Sequence, residues 1–583
     1  MGKVAGFLTM VVALALAPGA HAASPDPVMA DNGMVVSAHH LASQAGVDVM
    51  RRGGNAIDAA LAVAYALAVT FPEAGNLGGG GFMTIRLADG RETFIDFRET
   101  APAAAGPTLY QDAKGNVIAG LSTRGYKAVG VPGTVAGLEL ALTRYGTRPR
   151  AELMGPAIAL ARDGFVLNGG DARFLAEGAA DFAKDPASAA IFLNSGRTWQ
   201  AGDRLVQADL AGSLALIAKD GPAAFYRGRI ASRIVAASRA HDGILAPTDL
   251  ASYTAVERKP VTCDYRGWRV VSAPPPSSGG VVLCETLNIL EGYPMRELGF
   301  HSAQGVHYEV EALRRAYHDR NVNLGDPDFV KADIGRFTSK AYAAGLREGI
   351  AADKATPSTS LGVPGGAHEG QSTTHFSVVD KAGNAVSLTY TLNDWFGARL
   401  TAPGTGILLN DEMDDFSSKP GVPNMFGLVE GANNAIAPHK RPLSSMTPTI
   451  VTKDGKLALV VGTPGGSHIP TGVLQVIRNV IDYDMPISDA VDAPRIHEQW
   501  LPDEVAYETY ALSPDTIALL VAKGHKLVPM GYQNQIAAIA VGDRHTSSQT
   551  DNAEPIGPPK TGSGARLFGV IDPRLPTGSA EGF

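Results

Sequence analysis

At 583 residues, with 45 % hydrophobic and 19 % charged side chains, the chain is long enough for several ordinary domains or one large α/β body with a sizeable core. A net charge of −8 at pH 7, without any Lys/Arg cluster, argues against a nucleic-acid-binding surface but leaves small charged substrates open. The two cysteines, Cys263 and Cys284, are either bonded or free, and no Cys/His set has metal-ligand spacing, so no metal and no cofactor are expected.

The first residues read as an export signal. Lys3 supplies a positive start, residues 4–17 are apolar, and Ala20-His-Ala22 is an A-x-A-like cleavage site. The apolar stretch is too short to span a bilayer. Cleavage near Ala22 and delivery to a bacterial periplasm, or secretion, are expected, with no stable membrane insertion afterwards. Residues 35–52 read as a strand end and an amphipathic helix, and a buried helix begins near Ala56 behind the Gly53-Gly54-Asn55 cap. The run Gly75-Asn-Leu-Gly-Gly-Gly-Gly-Phe-Met83 lacks a Walker lysine and precedes a strand, so it reads as close backbone packing around a site and not as a phosphate loop. Strands are expected at 83–86 and 93–97. Residues 130–350 read as mostly helical, with helices at 132–145, 151–163, 209–219 and 302–317 and a break at Pro274-Pro-Pro-Ser-Ser-Gly-Gly280. The stretch 353–372 is a Gly/Pro/Ser-rich loop. Beyond it the chain turns strand-rich, with helices near 471–483 and 514–523 and a polar, Pro/Gly-rich exposed loop at 546–564.

The segment Gln371-Ser-Thr-Thr-His-Phe-Ser-Val-Val-Asp380 places two threonines where that loop meets a hairpin, whose second strand is Ala385-Val-Ser-Leu-Thr-Tyr-Thr-Leu392. Taken alone, Thr-Thr at a strand start expresses β-propensity. A cut between Ser372 and Thr373 would give it chemistry. The freed α-amine titrates near pH 8 and lies beside the hydroxyl of the same residue, where it serves as a base.

Further segments carry charged and small residues in suggestive order: Phe94-Ile-Asp-Phe-Arg-Glu-Thr-Ala-Pro102, Tyr390-Thr-Leu-Asn393, Gly406-Ile-Leu-Leu-Asn-Asp-Glu-Met-Asp-Asp-Phe-Ser417, Lys440-Arg-Pro-Leu-Ser-Ser-Met-Thr-Pro448 and Gly462-Thr-Pro-Gly-Gly-Ser467. Singly they have plainer readings: Arg98–Glu99 as a surface ion pair, the acidic run as a solvated loop, Gly465-Gly466 as a turn. Together, from about Asn32 to Arg574, they resemble the γ-glutamyltranspeptidase (glutathione hydrolase) family of the N-terminal-nucleophile hydrolase superfamily.

That resemblance implies an α/β (α+β) fold, a four-layer α-β-β-α sandwich assembled from both fragments of a self-cleaved precursor. Its parts would be a signal peptide (1–22), a large N-terminal subunit (23–372) and a small C-terminal subunit (373–583) held together as a heterodimer. The implied activity is cleavage of the γ-glutamyl amide of glutathione and related compounds through a γ-glutamyl-threonine intermediate, passed to water or to an amino acid or peptide. Thr373 would be the nucleophile, Thr391 its hydrogen-bonding partner, and Gly465 and Gly466 the oxyanion donors. Arg98, Ser444 and Ser445 would hold the α-carboxylate; Asn393, Glu412 and Asp415 the α-ammonium. His375 is left as structural. Pro420-Gly-Val-Pro-Asn-Met-Phe-Gly-Leu428 resembles the family's lid loop, with Phe426 where a tyrosine is often found, and the missing hydroxyl predicts a looser lid. The alternatives are a related β-lactam side-chain (cephalosporin) acylase and a non-cleaving periplasmic amino-acid-binding protein.

Overall fold

Strands whose alternate residues face opposite sides bury both faces only when each side is covered. That is the situation of Thr374–Asp380 and Ala385–Thr391, in which every residue is buried. The computed structural model describes residues 24–362, 373–532, 534–543 and 565–583. The expected export signal, the loop at 546–564 and the N-terminal side of the proposed cut lie outside these residues.

Two seven-stranded antiparallel sheets stack at the centre. One runs Ser579–Gly582, Gly33–Ser37, Thr374–Asp380, Ala385–Thr391, Gly80–Arg86, Glu92–Asp96, Val256–Arg258 in spatial order. The other runs Val28–Ala30, Ala565–Ile571, Ala537–Asp543, Lys456–Gly462, Thr449–Lys453, Trp268–Ser272, Val261–Tyr265. The period-2 split is visible along Thr374–Asp380. Phe376 and Val378 join the large cluster built on the helix Ala56–Thr70. Ser377 and Val379 face the other sheet, where Ser377 Oγ donates to the Ala537 carbonyl at 3.0 Å. Ser387 Oγ similarly donates to the Val461 carbonyl at 3.2 Å, so hydroxyls as well as methyls join the sheets.

The helices His40–Arg51 and Ala56–Thr70 cover the first sheet, while Gly279–Leu290 and Ile469–Ile481 cover the second. This is the expected α-β-β-α sandwich. Ala56–Thr70 is buried along its whole length, which explains its all-round apolar sequence. Its one acid, Asp58, closes a capping box with Asn55 and accepts from the Thr147 and Arg148 backbones.

Most expected helices lie where the pattern put them: Thr134–Tyr145, Arg150–Asp163, Ala208–Asp220, Ile469–Ile481 and Pro514–Ala522. The helix expected at 302–317 runs on through Ala303–Asn323. The stretch 130–350 is less uniform than its helical pattern suggests, because Val256–Arg258, Val261–Tyr265 and Trp268–Ser272 extend both sheets. The last two form a hairpin on the two-residue turn Arg266-Gly267, both at positive φ. Cys263 and Cys284 are disulfide-bonded, tying the strand Val261–Tyr265 to the helix that covers it. Among the described residues no helix is long and apolar enough to cross a membrane.

Candidate active site

Thr373 lies immediately ahead of Thr374–Asp380, in mid-sheet, with Thr374 paired to Tyr390. That register puts Thr391 beside it, and the Thr373 hydroxyl donates to Thr391 Oγ1 at 3.3 Å. The same oxygen accepts from the Asn393 backbone N–H at 2.9 Å. Thr373 has φ +136°, a conformation that β-branched residues rarely adopt and that stores about 1–3 kcal/mol of strain.

The glycine run does what close approach requires. A Cβ on Gly79 would stand 2.0 Å from the Thr391 carbonyl oxygen, and one on Gly80 2.4 Å from the Glu99 carboxylate. Asn76 completes the support, donating to the Thr391 carbonyl while its Oδ1 accepts from Gly79 N and Thr134 Oγ1.

Arg98 follows the strand Glu92–Asp96 and is only 1 % exposed. It is therefore no surface residue. Its Nε donates to the Pro442 carbonyl, and its two terminal nitrogens pair with Glu412 and Asp415. Those carboxylates come from the short 3-10 turn Glu412–Asp415. Tyr253 donates to the Arg98 carbonyl at 2.8 Å, fixing the backbone.

The expectation had Arg98 and the two acids reaching for opposite ends of a zwitterion. In the structure they hold each other. Opposite charges that share one desolvated space pair directly. The cavity they border is about 20 Å³ and is lined also by Thr373, Asn393, Ser444 and Ser445. A ligand with both charges must exchange these internal pairs for its own.

One guanidinium here faces three buried carboxyl groups. Burial works against the Arg98 charge, but Glu412, Asp415 and Glu99 outweigh it and raise its pKa. Burial raises Glu412 and Asp415 despite Arg98, and pushes Glu99 up to about 8. The folded protein thus keeps a proton on Glu99 that an unfolded chain releases near 4.5. Folding takes up that proton between the two values, so the contribution of this group to stability is fully present below the lower one and is lost as pH rises through the upper. Glu99→Gln should flatten this fall in Tm measured against pH. Parallel curves for the two proteins would refute a retained proton at Glu99.

Ser444 and Ser445 sit on a strand-like segment docked against the Pro274–Gly280 break, with Ser444 N donating to the Pro276 carbonyl and Ser278 N to the Ser444 carbonyl. Gly465 and Gly466 have φ +130° and +54°, conformations open to glycine, and lead through a 3-10 turn into Ile469–Ile481. Gly466 lines the cavity. Asn393, at φ +80°, donates from its amide to the Asp411 carbonyl at 3.1 Å and approaches Met425 Sδ at 3.4 Å.

The lid segment is held by burial and by backbone bonds. Phe426 is 4 % exposed and belongs to the cluster under the second sheet, together with Leu428, Trp500 and Leu501. Its ring lies against Gly466, where an added Cβ would be 2.5 Å away. Asn424 Oδ1 accepts from the Phe426 and Leu428 backbones, and Asp414 accepts from Met425 N. Burial of the ring and these backbone bonds hold the segment without a phenolic hydroxyl.

His375 is structural as expected: it is bonded to Thr389 and Ser377, and burial lowers it to about 3. The fold does gather His307, Glu311 and His525, which no linear spacing announced. Their ligand atoms are largely engaged, Glu311 by Arg315 and Thr356 N, and His307 by His525 and the Ala351 carbonyl. Sequence reasoning also missed Arg320, which lines the cavity from within Ala303–Asn323, and Tyr317 on the same helix, which donates to the Ser467 carbonyl. Neither lies in a recognisable motif.

A model of the family described as Gamma-glutamyltranspeptidase matches residues 42–557. A protein of Pseudomonas sp. (strain A14) named Glutathione hydrolase proenzyme is 58 % identical over 566 residues, covering 97 % of this chain and 96 % of its own. One of the same name from Escherichia coli (strain K12) is 51 % identical over 519 residues, covering 88 % and 89 %. Among solved structures, the cephalosporin acylase from Bacillus halodurans superposes with a TM-score of 0.81 at 27 % identity, over 97 % of this chain and 99 % of that one.

Proposed function

The chain belongs to the gamma-glutamyltranspeptidase family, and from that premise we propose that it is a self-processing γ-glutamyl hydrolase and transferase, exported to the periplasm or beyond. The observation that carries the reading is the placement of the Thr373 hydroxyl, paired to Thr391, on a cavity that also holds a buried guanidinium and two buried carboxylates.

Processing comes first. The Thr373 hydroxyl adds to the carbonyl of residue 372, the amide nitrogen leaves with a proton, and water hydrolyses the resulting ester. The products are residues 23–372, ending in a carboxylate, and residues 373–583, beginning with a free amine. The two remain together as a heterodimer. In the mature enzyme that amine accepts the hydroxyl proton as Oγ1 attacks the γ-carbonyl of the donor. The proton passes to the departing amine, leaving a γ-glutamyl ester on Thr373. Water or an acceptor amine then attacks the ester and regenerates the hydroxyl.

Arg98, with Ser444 and Ser445, takes the donor α-carboxylate through a planar fork and two hydroxyls. Glu412, Asp415 and Asn393 take the α-ammonium. Two opposite attachments on one carbon fix the γ-carbonyl relative to Oγ1. Backbone N–H groups at Gly465 and Gly466 stabilise the tetrahedral oxygen. Glutathione is the natural first donor to test, given the names carried by the relatives.

The deciding experiment is N-terminal sequencing of every fragment of the purified protein, alongside release of chromophore from a γ-glutamyl anilide. A new terminus at Thr373 with turnover supports the proposal. A single uncut chain that binds amino acids without turnover would mean a binding protein instead. Preference for a dicarboxylic acyl cephalosporin, whose acyl group lacks the α-ammonium, would mean a side-chain acylase.

A further inference from the structure

The cavity has a second guanidinium. Arg320 is 1 % exposed and borders the cavity beside Ser445. Its bonds divide among the parts of the site. Nε donates to Ser278 Oγ at 3.0 Å, and Ser278 Oγ donates to the Ser444 carbonyl at 2.8 Å. Nη1 pairs with Glu430 at 2.6 Å, two residues beyond the lid segment. Nη2 donates to Ser445 Oγ at 3.3 Å.

Arginine has donors only, so Ser445 Oγ is the acceptor in that bond and its own hydrogen must point elsewhere. Ser445 borders the cavity, which gives that hydrogen a direction. Ser444 Oγ is in the same state, accepting from Met446 N at 3.1 Å. Each hydroxyl thus has one lone pair occupied and its hydrogen turned away from that partner, the arrangement that suits an anion. Glu430 offsets the Arg320 charge, so the guanidinium works mainly by orientation.

We infer that Arg320 is a positioning residue that selects donors bearing an α-carboxylate, by fixing Ser445 as a hydrogen-bond donor and holding the Ser444 segment through Ser278. This rests on the γ-glutamyl reading above and deepens it. Arg320 acts through the serines and needs no contact with the reacting atoms. Lysine cannot replace it, because one ammonium does not reach Ser278, Glu430 and Ser445 together.

The test compares γ-glutamyl-p-nitroanilide with 4-aminobutyryl-p-nitroanilide, the same donor without its α-carboxylate, using self-cleaved enzyme. Arg320→Met should raise KM for the first donor about tenfold, the scale of a hydrogen bond to a charged group, with kcat changed far less. The second donor should show less than about a threefold change in kcat/KM. In a Ser445→Ala background, adding Arg320→Met should cost clearly less on the γ-glutamyl donor than it does in the wild type, since one of its two routes is already gone and only the one through Ser278 to the Ser444 segment remains. Equal losses on both donors, or full additivity with Ser445→Ala, would overturn the inference.

Arg320→Met leaves Glu430 without its partner. If that variant does not mature, Arg320→Gln with Glu430→Gln removes both charges and is measured in its place. Failure of this neutral pair to fold and self-cleave would also overturn the inference, making Arg320 a purely structural residue. A wild-type enzyme that turns over neither donor defeats the γ-glutamyl reading itself, an outcome distinct from an active wild type that is indifferent to Arg320.

Discussion

Thr373→Ala should leave the chain uncut and turnover at background, a loss of at least about a thousandfold. One atom is asked to perform both steps. The Thr373 hydroxyl is the group hydrogen-bonded to Thr391 at the head of the central strand. Without it, no ester forms at the junction and no amine is released. The variant should still fold. Alanine lacks the second branch that makes φ +136° costly for threonine, and the strand Thr374–Asp380 is held by neighbours on both sides. A denaturing gel and an intact mass should therefore show one soluble polypeptide, and Thr373→Ser should restore both cleavage and activity. A Thr373→Ala protein that splits at the same junction and releases chromophore would refute the nucleophile assignment.

The second large effect is expected at Arg98. Arg98→Ala should raise KM for a γ-glutamyl anilide by at least about a hundredfold, because the α-carboxylate loses the two-armed cation assigned to it, and Arg320 is committed to Glu430, Ser278 and Ser445. Stability should fall as well, by about 3–5 kcal/mol, the scale of breaking a buried ion pair from one side. The reason lies in what remains: Glu412, Asp415 and Glu99 in one buried space without their counter-charge. They will hold more protons than before, so the loss should be smaller at low pH. Arg98→Lys keeps charge but cannot span Glu412 and Asp415 together, and should fall between the two. Wild-type KM in Arg98→Ala would rule out the carboxylate clamp, whatever happens to Tm.

What was legible in the chain was local. The hairpin after Thr373 declares itself by strict alternation and the Asp380-Lys-Ala-Gly-Asn384 turn, and its register then delivers Thr391 to Thr373. The glycine run announces close approach, and the structure shows how close. Long-range pairing was not legible. Arg98 and Glu412 are 314 positions apart, and nothing in either segment says that they will bind each other as well as a ligand. The Cys263–Cys284 bond depends on how a helix lies over a strand. The packing of Phe426 was hidden for a related reason. A missing hydroxyl is visible in sequence, whereas the apolar cluster that receives the ring is assembled from Leu428, Trp500 and Leu501 only on folding. Arg320 sits in a long, highly polar helix where one more arginine attracts no notice.

The order of strands has one more consequence. Thr374–Asp380 lies between Gly33–Ser37 and Ala385–Thr391, and the latter pairs onward with Gly80–Arg86. A chain severed ahead of Thr373 would have its two polypeptides woven through one another, each supplying inner strands that the other needs as neighbours. Such a pair has no weak seam along which to part. Dilution would leave it whole, and its partners would separate only by melting.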